Sequence, residues 1–513
     1  MKKFYMVFAG IILFQISALA QLEFGEAFIY SKVWHRDLNR NVFRKANSYN
    51  LDSIITQYLA AENIPGATGL IFRKNVGIIW SGNFGYRNLE NQLPVEDSTL
   101  FLMASISKTF LATAIMQMWE KGLINLEENI NNYLPSGITI VNPHRPNDTI
   151  TVKMLMLHTS SLKDNWSILW DLWGCGDYPE PVDSFLINYF APNGSHYSSS
   201  NFYNYSPGST FNYSNSGSCL LSLIVKNITG KNLNDYIKDN IFTPLSMNSS
   251  TWFLEGMDTN KIATPYSGNP PHAHCQIGMA FWPIGQLRTN VSELYNFALA
   301  YLNDGLYNNN RILDSTTIAY MLSYHGVTTP WGTQGLIWGK DSDVYNNIWG
   351  HSGMFIGTET GMYICVDEDW GILFFINKGD DSYYSPGFFP ILHQLSLYAH
   401  NVVTDLNSEI YEPITFNLYQ NFPNPFNPST IISYQLPVSS KVTLKVYDVL
   451  GKEIATLVNE EKPAGNYKVE FDVAQDSRPA ISSGIYFYQL KAGDPWTSSG
   501  QSFVQTKKMI LIK

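Results

Sequence analysis

The hydrophobic periodicity of this chain changes once, near Pro413, and that change limits the folds open to it. Upstream, helical and strand patterns are mixed. Leu51, Ile54, Ile55, Tyr58 and Leu59 follow helical spacing, and Ile64-Pro65-Gly66 stops that helix. Strand-like runs follow at Gly69–Arg73 and Val76–Ser81. Downstream, Val442, Leu444 and Val446 alternate with Lys441, Thr443, Lys445 and Tyr447. Turn signals recur at Asp448–Gly451, Pro463-Ala464-Gly465 and Ser482-Ser483-Gly484. Short strands with regular turns predict a small β-sandwich. The expected order is an α+β domain over 47–400, a polar linker over 401–413 and a β-domain over 414–513.

Residues 1–20 read MKKFYMVFAGIILFQISALA, with a positive start, an apolar core and a small-x-small site at Ala18-Leu19-Ala20. That is the pattern of a cleavable export signal, and its apolar core is short of the ~20 residues needed to span a bilayer. Residues 21–46 form an N-terminal lead. The low charged fraction of 15% and aromatic fraction of 14% suit an exported protein. A net charge of −10 argues against a nucleic-acid partner, which would need a basic footprint. The signal carries +2 and the last hundred residues +2, which leaves −14 for residues 21–413. Cys175, Cys219, Cys275 and Cys365 allow three pairings, and the sequence does not choose among them. None has metal-ligand spacing. His272 and His274, beside Cys275, read as incidental loop histidines rather than zinc ligands.

Three separated motifs carry candidate chemistry. Ser105-Ile106-Ser107-Lys108 precedes a helix in which Leu111, Ile115, Met118 and Trp119 share a face and Gly122 marks the end. Residues 105 and 108 are one turn apart, so both side chains share a face. A serine needs an adjacent base to act as a nucleophile, and a buried lysine can serve if its pKa falls toward neutral. Tyr213-Ser214-Asn215 supplies a phenol able to relay protons and an amide able to orient the lysine or hold a substrate carbonyl. His351-Ser352-Gly353 lies in Ile348–Tyr363, which reads as an edge strand; Gly353 admits close backbone approach. A second match to the first motif, Ser160-Ser161-Leu162-Lys163, opens no amphipathic helix and reads as chance.

In this order, Ser-x-x-Lys, Tyr-x-Asn and His-x-Gly resemble the serine β-lactamase-like family of class C β-lactamases, D-alanyl-D-alanine carboxypeptidases and related esterases and amidases. Thr99–Pro135 resembles its helix and following loop. Met154–Leu162, MLMLHTSSL, resembles its "LLxHTSGL" signature, with Ser161 where glycine is usual. Trp282–Leu294 resembles "GGLxST…DL", with Gln286 and Glu293 as departures. The resemblance implies an antiparallel sheet with flanking helices plus an all-helical lobe. It implies Ser105 as acylated nucleophile, Lys108 as its base, Tyr213 as general acid/base, and Asn215, His351, Ser352 and Gly353 as substrate contacts. The backbone amides of Ser105 and Met354 would form the oxyanion hole, with no metal or cofactor required.

His351 stands where β-lactamases usually carry lysine, which favours a peptidase or esterase over a true class C-like β-lactamase. A non-catalytic cell-surface or penicillin-binding protein is the reading from another class. Arg288 could supply a cation to the cleft, but an ordinary surface arginine is expected. The aromatic stretch 163–213, including Trp166, Trp170 and Trp173, is expected to pack the helical lobe, or else to form an acyl pocket. Finally, Tyr419–Ser429, YQNFPNPFNPS, with Val446-Tyr447-Asp448 and Gly484–Phe487, resembles an Ig-like type IX secretion sorting domain. That resemblance implies the secretion machinery as a partner and a secreted or surface-attached product.

Overall fold

The computed structural model describes residues 51–512, apart from 342–343, 346–347, 381–384, 406–415, 422, 437, 464, 474–480 and 494–502. The expected signal and N-terminal lead lie outside the described residues, as does the linker from 406 onward. The chain divides into two compact units at His400/Asn401.

The first unit is built on a nine-stranded antiparallel sheet. Its strands are β1 (Gly66–Arg73), β2 (Gly77–Asn88), β3 (Leu93–Pro94), β4 (Thr328–Thr329), β5 (Gly332–Gln334), β6 (Gly339–Asp341), β7 (Ile348–Phe355), β8 (Thr358–Cys365) and β9 (Trp370–Ile376). The spatial order is β4-β5-β6-β7-β8-β9-β1-β2-β3. β9 and β8 are buried along their whole lengths, as expected of apolar runs covered on both faces. The segment that read as one edge strand, Ile348–Tyr363, is instead two paired strands inside the sheet, turned at Gly357 with φ +79°. On β7, β6 pairs only with Ile348–Gly350. Among the described strands, residues 351–355 of β7 therefore have a neighbour on the β8 side alone.

Five helices matter for the site: α1 (Leu51–Ala61), α2 (Ser107–Glu120), α3 (Asn215–Thr229), α4 (Val291–Leu302) and α5 (Phe388–Asp405). α5 continues through 401–405, so that part of the expected linker is helical. α4 packs against β9, β8 and β1, while α2 packs against α3. The periodicity predicts an amphipathic α2, yet every residue from Ser107 to Met118 is buried. The helix lies in the interior, and its polar side chains find hydrogen-bond partners there, although Gln117 Oε1 has none among the described atoms. Thr109 donates to the Ile106 carbonyl, Thr113 bonds the Tyr301 phenol, and Gln117 donates to the carbonyls of Asn240 and Ile312. A helix buried all round can keep polar side chains only on those terms. Among the described residues, no helix is long and apolar enough to cross a membrane.

The second unit is a β-sandwich. One sheet has β10 (Asn417–Leu418), β11 (Ser429–Leu436) and β14 (Gly465–Asp472); the other orders β13 (Glu453–Lys462), β12 (Ser440–Tyr447), β15 (Gly484–Ala492) and β16 (Phe503–Leu511). The alternation on β12 is obeyed: Val442, Leu444 and Val446 are buried beside Ile432, Tyr434, Tyr488, Leu490 and Met509.

Candidate active site

A short 3₁₀ turn, Ala104–Ile106, feeds α2 and presents Ser105 before the first α-helical residue. Ala104 sits at φ +45°, a left-handed conformation that is costly for a residue with a side chain. The turn is held from outside. Met103 N–H donates to the Leu287 carbonyl, and Ser107 Oγ donates to the Ala104 carbonyl and accepts Leu287 N–H. Ser105 remains partly accessible, whereas Lys108 is fully buried. Lys108 Nζ donates to Ser105 Oγ at 2.9 Å and to the Ile284 carbonyl at 3.1 Å. Burial pushes the Lys108 ammonium down to about 7, against the opposing pull of Asp164 and Cys219.

Lys108 Nζ also lies 5.0 Å from the centre of the Tyr213 ring. The Tyr213 ring is 6.2 Å from that of His351. On β7, residues 351, 353 and 355 share one face. A Cβ built on Gly353 would stand 2.4 Å from the Met103 carbonyl oxygen and 2.9 Å from the Ser105 nitrogen. Only glycine lets the strand pass Ser105 this closely. Ser105, Lys108, Tyr213, His351 and Gly353 are thus brought together, with Ser352 and Met354 on either side of Gly353.

Asn215 is placed differently from the expectation that it would orient the lysine. It is the first residue of α3, and both its backbone N–H and its side-chain amide donate to Asp164 Oδ2, at 2.8 and 2.9 Å. Asp164 Oδ1 accepts from Ser216 N–H, Ser216 Oγ and Ser214 Oγ. One carboxylate therefore gathers the start of α3, where the helix dipole favours a negative charge. Sequence reasoning missed Asp164, which follows the spurious Ser160–Lys163 match. Lys163 there lies 5.2 Å from the Tyr203 ring, and Ser160 Oγ accepts from Leu162 N–H.

His158 was also missed as a site residue. Its carbonyl accepts Asn212 N–H at 2.8 Å, its Nδ1 accepts Ser214 N–H at 3.2 Å, and its ring stacks on Tyr213 at 4.3 Å. It therefore brackets Tyr213 on both sides in sequence and on one face. Burial, then the charge of Lys108, holds its imidazole well below the usual histidine range. The only sequence signal was the histidine of the MLMLHTSSL stretch. In that stretch Ser161 has φ +60°, which explains why glycine suits the position.

His351 donates Nδ1–H to the Ser352 carbonyl at 2.6 Å. A carbonyl can only accept, so the neutral ring keeps its lone pair on Nε2. Burial, then the Lys108 charge, pushes its pKa down to about 3. His351 is therefore neutral at pH 7. A neutral acceptor is a poor anchor for a substrate carboxylate.

Arg288 corrects the surface expectation. It is wholly buried and donates to the carbonyls of Trp252, Gln286 and Ile277. Burial lowers its pKa to about 10, against the pull of Asp177. Gln286 donates to the Trp252 carbonyl, and the Glu293 carboxylate accepts from Ser249 N–H and Ser250 Oγ, so both departures are structural. Cys175 pairs with Cys275, and Cys219 and Cys365 are free and buried. His272 and His274 both bond Ser267 Oγ, and among the described residues no His, Cys, Asp and Glu cluster could hold a metal.

Comparison with known proteins identifies the family and the fold. Residues 51–386 match the Beta-lactamase family, and residues 420–510 match the Secretion system C-terminal sorting domain. Penicillin-binding protein 4* of Bacillus subtilis (strain 168) is 24% identical over 330 residues, 60% of this chain and 67% of that protein. Other curated relatives, such as Protein flp of Staphylococcus aureus (strain MW2), are matched over only about half their length, 48%. The fold is shared with D-amino acid amidase from Ochrobactrum anthropi SV3, at TM-score 0.55 and 19% identity, covering 70% of this chain and all of that one. It is shared also with EstCE1, a hydrolase with promiscuous acyltransferase activity, at TM-score 0.56 and 17% identity over 68% and 97% of the two chains. The chain belongs to the Beta-lactamase family, and the sorting domain that follows its hydrolase fold indicates type IX secretion to the cell surface or outside.

Proposed function

We propose that this chain is a serine acyl-hydrolase working through a Ser105 acyl-enzyme on an ester, amide or peptide. The observation that carries the reading is the 2.9 Å contact between Ser105 Oγ and a lysine whose pKa burial has brought to about 7. A neutral Lys108 takes the Ser105 proton as Oγ attacks the substrate carbonyl. The developing oxyanion sits between the backbone N–H groups of Ser105 and Met354. Collapse of that intermediate breaks the bond to the leaving group. Tyr213 donates the proton that the leaving group takes up, and Lys108, holding the serine proton, restores it. Water then repeats the sequence on the acyl-enzyme and frees Ser105. Asp164 fixes Asn215 at the cleft, and His351 accepts a proton or hydrogen bond through Nε2.

The neutral His351 favours an esterase-like or amidase-like substrate range over a class C-like β-lactamase, whose substrates carry a carboxylate, and a carboxypeptidase-like substrate, whose leaving group also carries one, would need its anchor elsewhere in the cleft. Secretion machinery is the proposed partner of residues 414–513. The test is acylation. The protein is incubated with p-nitrophenyl acetate or a labelled penicillin and weighed by mass spectrometry. A single acyl adduct lost in Ser105→Ala is expected. A folded protein with neither adduct nor turnover would instead support a non-catalytic surface-binding role.

A further inference from the structure

The nucleophile divides β7 into two ends. Tyr213, the proposed proton donor to the leaving group, stands beside His351, so the His351 end is the leaving-group side. The acyl group retained on Ser105 must then extend toward Phe355. That residue shares the face of Gly353 and lies two residues, roughly 7 Å, further along the strand. Phe355 begins a run of edge-to-face rings. It meets Trp173 at 6.0 Å and 84°, Trp173 meets Trp170 at 5.9 Å and 74°, and Trp170 meets Trp166 at 6.1 Å and 75°.

The rings do not simply fill a core. Trp170 is 42% exposed, and Trp166, Trp173 and Phe355 are only half-buried. Their position is fixed by the backbone. Trp173–Cys175 pairs with Ile277–Met279, and the Cys175–Cys275 disulfide closes the end of that pair. A partly exposed, rigidly held aromatic surface beside a reacting centre favours apolar and π-bearing groups at small entropic cost.

We propose that Phe355, Trp173 and Trp170 form an acyl-side subsite that selects substrates whose acyl part carries an aryl or long apolar group about two residues' length from the scissile carbonyl. This rests on the acyl-transfer reading above. The test compares p-nitrophenyl 4-phenylbutyrate with p-nitrophenyl acetate on the full chain, with each kcat/KM corrected for spontaneous hydrolysis. The leaving group is common, so the ratio reports the acyl side alone. Burying part of one phenyl ring predicts a ratio of about tenfold or more in favour of phenylbutyrate. The ratio should fall toward one in Trp170→Ala, whose exposed side chain can be removed without loss of fold, and in Trp173→Leu. A wild-type ratio near one, or a ratio kept in both folded variants, overturns the subsite while acetate turnover upholds acyl transfer. If neither ester is turned over and Ser105 stays unlabelled, acyl transfer fails and the subsite falls with it.

Discussion

Asp164 offers the sharpest test of how the site is tuned. Its negative charge raises the pKa of Lys108, opposing the larger effect of burial. Asp164→Asn removes that charge, so the neutral lysine gains and its pKa falls. Each loss of about 1 kcal/mol of that attraction corresponds to roughly half a pH unit to one in the titration. The acid limb of kcat/KM should therefore move from about 7 to lower pH. A fall of that size raises the neutral fraction at pH 6 from roughly a tenth to a third. The same substitution also weakens the start of α3. Oδ2 accepts two donors from Asn215, and Oδ1 accepts three from Ser214 and Ser216. An amide turns its NH₂ toward one of these sets, which costs about 1–3 kcal/mol for the donors left unpaired. The assay is a pH–rate profile with p-nitrophenyl acetate, alongside a urea melt. A folded variant whose acid limb stays in place, or moves to higher pH, would refute the reasoning.

Three further outcomes follow from the same physics. Lys108→Met should abolish turnover yet stabilise the fold by about 1–3 kcal/mol at pH 7, because a buried ammonium is removed. Its folded-state pKa is depressed, so the unfolded chain binds more protons between about 7 and 10.5. The wild type therefore gains stability as pH rises through that window, and the advantage of the variant shrinks with it in thermal melts. Glu359 is fully buried, its Oε2 has no hydrogen-bond partner among the described atoms, and burial raises its pKa to about 8. The folded state holds that proton between pH 4.5 and 8, so its stability falls as pH rises across that range, and Glu359→Gln should raise Tm more at pH 9 than at pH 6. Reduction of Cys175–Cys275, which are 100 residues apart in sequence, should lower stability by about 2–5 kcal/mol, with Cys175→Ser/Cys275→Ser melting like the reduced protein.

Much of the fold was legible because it depends on local periodicity. The helical spacing of Leu51–Leu59, the apolar run that becomes β9 and the alternation on β12 each report a burial pattern set by neighbours in sequence. That Ile348–Gly350 of β7 is paired on both sides while residues 351–355 are paired on one was not legible, because a strand reads alike whether one edge or two are paired. The burial of α2 on every side was missed for a related reason. Thr113 and Gln117 look like a solvated face until their partners across the fold are known.

The sequence by itself pointed to the proposed reacting groups and to the shared face of two of them. A serine and a lysine three apart at the start of a helix must share a face, whatever surrounds them. It also determined that glycine stands at 353, where the strand needs room. Only the tertiary structure decided how those groups are tuned. Asp164 and His158 act through contacts with residues some fifty positions away in the chain. The proton position on His351 follows from one carbonyl that the folded strand places against it. Charge state depends on burial and on the nearest partner, and both exist only once the chain has closed around the site.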